Sequence, residues 1–320
     1  MPILNTYYDP PFVFKNGHFS TVYSGLFRKG AKIEQKRERI ILSDSDFIDL
    51  DWSFAKKKTN KVIILLHGLE GNAQRAYITR SAKLFNDNEY DAIAMNFRGC
   101  SGESNRLYRS YNAGATEDLR EVVTHVLTNH PQYDHIIIKG FSLGGNMLLK
   151  YLGEPIRVPK EVKAGIAISV PCSLHGSLQQ MDRLENRLYT NRFVKHLHGK
   201  LMEKNRSFPQ LLNIENIKKA DTLFKIDDLY SSKAHGYKDA LDYYKKCSSL
   251  QYLRYIKTPT LIINALNDSF LSEDCYPIKE AEANNDLYLE MPKYGGHVGF
   301  FEFGKIYHTE SQALSFATSV

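Results

Sequence analysis

No run in the 320-residue sequence approaches the roughly 18 to 20 uninterrupted apolar residues that a membrane-spanning helix requires. The opening stretch, MPILNTYYDPPF, lacks a basic segment followed by an apolar one, the pattern of an export signal. A soluble protein that stays in the cytoplasm, with no integral membrane segment, is therefore expected. Cysteine is scarce: Cys100, Cys172, Cys247 and Cys275 are widely separated and form no Cys-x-x-Cys pair. That argues against a zinc site and a thioredoxin-type motif, and leaves free thiols in a reducing compartment. One-sided charge is also missing, since 42 basic residues face 36 acidic ones for a net +6. Basic clusters such as Lys56, Lys57 and Lys58 are short, and no zinc-finger or aromatic RNA-binding signature accompanies them. They read as solvated loops, and no nucleic-acid partner is expected. GLEGNAQR lacks the Gly-Lys-Ser/Thr ending of a phosphate-binding loop, and NFRGCSGE lacks the three-glycine fingerprint of a dinucleotide site. His196 and His198 stand two apart in a helical stretch and point to different faces. No metal and no cofactor is expected.

What the chain does have is rhythm. After an irregular arm of about 30 residues, ERIILSDSDFIDLDWSFA gives two β-type runs around a turn signal and predicts an antiparallel hairpin. From residue 61 onward, short apolar runs alternate with longer segments of helical period: KVIILLH (61–67), DAIAMNF (91–97), HIIIKG (135–140), VKAGIAIS (162–169), TPTLIINAL (258–266) and LYLEM (287–291). Runs of this kind are strands buried on both faces, as in a parallel sheet covered by helices. ATEDLREVVTHVLTNHP is the clearest crossover helix, with Leu119, Val122, Val123, Val126 and Leu127 on one stripe and Pro131 ending it. Residues 1–320 thus read as one α/β domain. Almost 90 residues between Ser169 and Thr258 carry helical patterning but no such strand. Because insertions at strand C-terminal ends overhang the ligand site, 171–256 is expected to be a helical lid.

The chemistry is expected at Gly140-Phe141-Ser142-Leu143-Gly144, a Gly-x-Ser-x-Gly between an apolar strand and a helical run. A serine hydroxyl needs a nearby base to take its proton as it attacks. In the order such sites follow, an acid and then a histidine come later in the chain. Asp268 lies just after TLIINAL, and His297 lies in the glycine-rich KYGGHVGF after the next strand. Three such residues at three strand ends are expected to act together. The oxyanion formed on attack needs two N–H donors: the backbone of Leu143, after the nucleophile, and that of Leu69, in HGLEG after VIILL.

The motifs FKNGHFSTVYSGLFRK, HGLEG, NFRGCSGESNR, GFSLGGNMLLKYLGE, DYY and GGHVGF resemble those of the α/β-hydrolases, and within them the YheT-like branch, across almost the whole chain. The resemblance implies an α/β-hydrolase fold with a mostly parallel, eight-stranded-type sheet, helices on both faces and a helical lid. It also implies a serine esterase-like enzyme using Ser142, Asp268 and His297, with relatives that act on carboxylic esters or lipids or transfer acyl groups to alcohols. In the family this resemblance points to, the segment at the acid often reads Asp-Pro-Phe, whereas here it is Asp268-Ser269-Phe270, which bears on the stiffness of that loop. Arg98, in NFRGCSGE, reads equally as a site residue or a structural one, and Cys100 beside it is not expected to be a nucleophile. A carboxylesterase or lipase acting on a small-molecule ester or lipid-like substrate is the expected function. An acyltransferase or thioesterase with the same triad, or a catalytically silent ligand-binding protein of this fold, are the alternatives.

Overall fold

The apolar runs become strands because β-branched residues pack well on a pleated surface that is covered on both sides. In the computed structural model, which describes residues 3–320, nine strands form one sheet. They are β1 (Ile3–Leu4), β2 (Lys36–Ile41), β3 (Phe47–Ser53), β4 (Lys61–Leu66), β5 (Asp91–Asn96), β6 (His135–Phe141), β7 (Val162–Ile168), β8 (Thr260–Ile263) and β9 (Leu287–Glu290). Their order across the sheet is β1-β9-β8-β7-β6-β4-β5-β3-β2. All neighbours are parallel except β3, which runs antiparallel to both β5 and β2. The expected hairpin is therefore present at one edge. At the other, the two-residue β1 pairs with β9 and makes the sheet nine-stranded where eight were expected.

The helices are α1 (Gly17–Leu26), α2 (Ala76–Asp87), α3 (Thr116–Asn129), α4 (Leu143–Gly153), α5 (Leu174–Met181), α6 (Arg187–Ser207), α7 (Ile214–Lys219), α8 (Leu223–Ile226), α9 (Ser232–Ala234), α10 (Ala240–Cys247), α11 (Ile278–Ala283) and α12 (His308–Ser319). Side-chain alternation divides the core into two layers. Val62, Ile64 and Leu66 of β4 join α3 and α4 on one face, whereas Ile63 and Leu65 join α2 and α12 on the other. Among the described residues no helix is long and apolar enough to cross a membrane.

One segment differs from expectation. The N-terminal arm is not wholly irregular: Asn16 caps α1 by accepting the Phe19 N–H at 2.9 Å. Between β7 and β8 lie α5 to α10, with a π-helical turn at Asp227–Ser231 joining α8 to α9. This interval has its own small apolar clusters, one around Leu178, Met181 and Tyr243 and another around Leu201, Ile217 and Ile226.

Arg98 is an anchor. Its buried guanidinium holds Asp118 of α3 through two bonds of 2.8 and 2.7 Å, and reaches Asp44 (2.8 Å) and Asp46 (3.2 Å) in the β2–β3 turn. Hairpin and helix are thereby tied to the end of β5.

Candidate active site

Ser142 stands where β6 turns into α4, with φ 51° and ψ −119°, a left-handed conformation that is strained for any residue with a side chain. Such strain costs about 1 to 3 kcal/mol and holds the hydroxyl clear of both elements. The flanking glycines permit it. A Cβ on Gly140 would lie 2.3 Å from the Gly144 carbonyl oxygen, and one on Gly144 would lie 2.5 Å from the His67 carbonyl oxygen. Strand, helix and the HGLEG loop thus press together at this corner.

Asp268 follows β8 and His297 follows β9. The structure brings both to Ser142: His297 Nε2 is 2.9 Å from Ser142 Oγ, and His297 Nδ1 is 2.8 Å from Asp268 Oδ2. The Asp268 side chain has no exposure, its Oδ1 accepts the Phe270 N–H at 2.9 Å, and the Phe270 ring stacks on His297 with centroids 4.3 Å apart. Among the described residues, neither the Leu69 nor the Leu143 backbone N–H donates a hydrogen bond to the protein. Both residues line the cavity that holds Ser142 and His297.

The HGLEG loop is held from behind. His67 is fully buried, contacts the Gly68 carbonyl through Nδ1 at 2.8 Å and accepts the Phe97 N–H at Nε2. Burial drops its pKa to about 3, so it stays neutral. Glu70, itself at φ 53°, accepts from Tyr111 Oη at 2.6 Å and from Lys200 of α6 at 2.9 Å. Cys100 lies 3.1 Å from the same ammonium, but burial pushes its thiol up to about 11, which removes it as a thiolate nucleophile. All four cysteines are buried and free.

Several positioning contacts were not anticipated from the sequence. Thr21 Oγ1 of α1 accepts the His297 N–H at 2.8 Å, and Ser20 Oγ donates to the Gly295 carbonyl at 2.9 Å. Ser169, at the end of β7, accepts the Val298 N–H at 2.9 Å. The histidine loop is thus gripped from both sides by hydroxyls on distant elements. Ser269 donates to Asn186 Oδ1 at 2.8 Å, and its carbonyl accepts from Asn186 Nδ2 at 2.8 Å. A side-chain clamp from the inserted segment thus holds the loop that carries Asp268. The sequence signal for α1 was the Asn16 cap followed by Ser20, Thr21 and Ser24, which fall on one helical face.

The cavity measures about 760 Å³. On one side it is bounded by Ser142, Leu143, Leu69 and His297, and on the other by residues of α5, α6, α8 and α10, including Leu178, Phe193, Leu197 and Tyr244. Its lining is largely apolar, with Asp227 of the π-turn as a half-buried carboxyl on its wall. Ser231 Oγ (2.6 Å) and Tyr244 Oη (2.7 Å) donate to Asp227, and burial raises its pKa to about 6. His196 also lines the cavity, whereas His198 turns to the Ala220 carbonyl, 2.8 Å away, so the two do not converge. Among the described residues, the group able to hold a metal is Glu38, His125 and His130, at the β2 edge. There Glu38 already accepts from Trp52 Nε1 at 2.8 Å and lies 2.9 Å from His125 Nε2.

A family profile described as alpha/beta hydrolase fold matches residues 61–303. The chain is 33% identical over 292 residues to "Putative esterase YheT" of Escherichia coli (strain K12), covering 90% of this chain and 85% of that one. It is 28% identical over 309 residues to Phospholipase ABHD3 of Homo sapiens, covering 94% of this chain and 75% of that one. It is 29% identical over 250 residues to Monoacylglycerol lipase of Saccharomyces cerevisiae (strain ATCC 204508 / S288c), covering 75% and 55%. Among solved structures, the Pyrococcus furiosus esterase Pf2001 is similar with a TM-score of 0.61 at 19% identity, over 90% of this chain and 91% of that one, a likeness of fold.

Proposed function

The chain belongs to the α/β-hydrolase fold family, and on that premise we propose that it is a serine hydrolase of carboxylic esters with an apolar acyl or alcohol part. The reading rests on one observation: Ser142 Oγ, the His297 ring and the Asp268 carboxylate form an unbroken chain of contacts at 2.9 and 2.8 Å, opening on a largely apolar cavity. In the productive tautomer, His297 donates from Nδ1 to Asp268 and accepts the Ser142 O–H at Nε2. As Oγ attacks the ester carbonyl, the proton passes to Nε2 and Asp268 stabilises the imidazolium. The Leu69 and Leu143 N–H groups receive the oxyanion. His297 then returns the proton to the departing alcohol, leaving an acyl-Ser142, and water deprotonated by His297 releases the acid. The helices between β7 and β8 act as the lid over this reaction, and the esterase and lipase names among the relatives favour a lipid-like ester.

Fluorophosphonate labelling tests the assignment. Ser142→Ala should abolish labelling and lower ester hydrolysis by about a thousandfold or more, whereas labelling at the native level in that variant would refute the nucleophile. Rates on p-nitrophenyl esters of graded chain length should rise with acyl length; a preference for acetate would remove the apolar-substrate reading.

A further inference from the structure

Residues of α1 and of the N-terminal half of α6 line the cavity and are also exposed, so the cavity reaches the surface between these two elements. These elements meet where the His18 and Tyr189 rings stack with centroids 6.0 Å apart and His18 Nδ1 lies 3.3 Å from Tyr189 Oη. Along α1, His18, Val22 and Leu26 fall four residues apart and so share one face. Val22 and Leu26 line the cavity, yet Leu26 is 59% exposed. Across the opening Leu188 does the same: it lines the cavity and is 84% exposed. Leu184, one turn earlier and outside the cavity lining, is also 84% exposed. Large aliphatic side chains this bare, gathered on both lips of one opening, are not explained by packing within the chain.

The lips are framed by positive charge. Between residues 182 and 195 four basic side chains, Arg183, Arg187, Arg192 and Lys195, face two acidic ones, and all six are exposed. On the other side Lys29 and Lys32 follow α1 exposed, with no acidic residue anywhere between 16 and 33. Exposed leucines interspersed along the chain with an excess of basic side chains, beside a cavity that reaches the surface, match an anionic lipid surface: the leucines enter the headgroup boundary and the cations rest against the headgroups. We propose that the α1–α6 lip is a membrane-docking surface that seats the cavity mouth on an anionic phospholipid bilayer, so that an acyl chain enters without crossing water. A second copy of the chain would answer the leucines but would set basic against basic.

Docking itself does not require the catalytic reading, only its purpose does, so the two fail separately: Ser142→Ala should bind vesicles as the native protein does. The test is co-sedimentation of the full chain with vesicles of phosphatidylcholine alone and of phosphatidylcholine mixed with phosphatidylglycerol. The mixed vesicles should take up the native protein more strongly. Leu26→Ser with Leu184→Ser and Leu188→Ser should lower the partition by about tenfold or more, and Arg183→Glu with Arg187→Glu should lower it by roughly fivefold for each charge removed, on the mixed vesicles only. Leu184→Ser alone should weaken binding and leave hydrolysis of a soluble short-chain ester unchanged, which separates lost docking from lost folding. Absence of binding to either vesicle, or retention of binding by the triple leucine variant, would overturn the proposal. So would a concentration-dependent dimer that the leucine substitutions dissolve.

Discussion

The turn that carries Ser142 and the loop that carries His297 meet within one hydrogen bond, yet they are built in opposite ways. The serine turn is local: Gly140 and Gly144, two residues to either side, permit the sharp corner, and the strand and helix it joins are its immediate neighbours in sequence. The histidine loop is held from afar. Its backbone is fixed by Thr21, 276 residues earlier, and by Ser169, 129 residues away from Val298. A local device survives as long as its own few residues are kept, whereas a remote one depends on the docking of whole elements. The first should fail through stability and the second through activity.

Between the turn and the loop, the largest effect is expected from Gly144→Ala. Its new methyl group would meet backbone oxygens of His67 and Leu66 at 2.5 and 2.7 Å, groups that cannot move without shifting β4. We expect a loss of about 2 to 3 kcal/mol, read as a lower denaturation midpoint. A midpoint within error of the native one would show that the corner is looser than its geometry implies. Thr21→Val should do the reverse. It keeps the volume and removes the acceptor of the His297 N–H, so kcat should fall by about tenfold or more through misplacement of the imidazole, with stability changed by only about 1 kcal/mol. Equal losses of stability in both variants, with kcat of Thr21→Val intact, would erase the contrast.

The smallest effect lies in the inserted segment. The Asp227 carboxyl lines the cavity and burial raises its pKa from 3.8 to about 6. Because the folded state holds this proton more tightly than the unfolded one, ionisation weakens the fold. The cost is absent below about pH 4, grows through the window between the two values, and is complete above about pH 6. Asp227→Asn should therefore raise the melting temperature at about pH 8, by the equivalent of about 1 kcal/mol once cavity water is allowed for, and leave it unchanged at about pH 4. A stabilisation equal at both values would mean that the carboxyl carries no such burial penalty.

Much of the fold was legible because it follows from short-range pattern. The six apolar runs gave β4 to β9, since a strand covered on both faces has no polar side to interrupt it. The Leu119–Val126 stripe gave α3 by the same logic. Ser142, Asp268 and His297 were visible as residue types in order at strand ends. Less legible were α1, whose Pro- and aromatic-rich surroundings hid a capped helix, and β1, whose two residues carry no period at all. The Asn186 clamp on Ser269 could not be read, because nothing in Asp-Ser-Phe says which distant amide will meet it. Arg98 was ambiguous until Asp44, Asp46 and Asp118, from two separate segments, closed around it.

By itself, then, the sequence determined most of the sheet, the corner at Ser142 and the identities of the groups available for chemistry, because hydrophobic period and the crowding of Gly140 against Gly144 act between residues a few positions apart. Only the tertiary structure decided that Asp268, His297 and Ser142 stand in line and that α1 reaches across to steady the histidine. It alone gave the cavity its two leucine-edged lips. Those arrangements depend on which elements pack together, and hydrogen bonds between residues hundreds of positions apart leave no period in the chain.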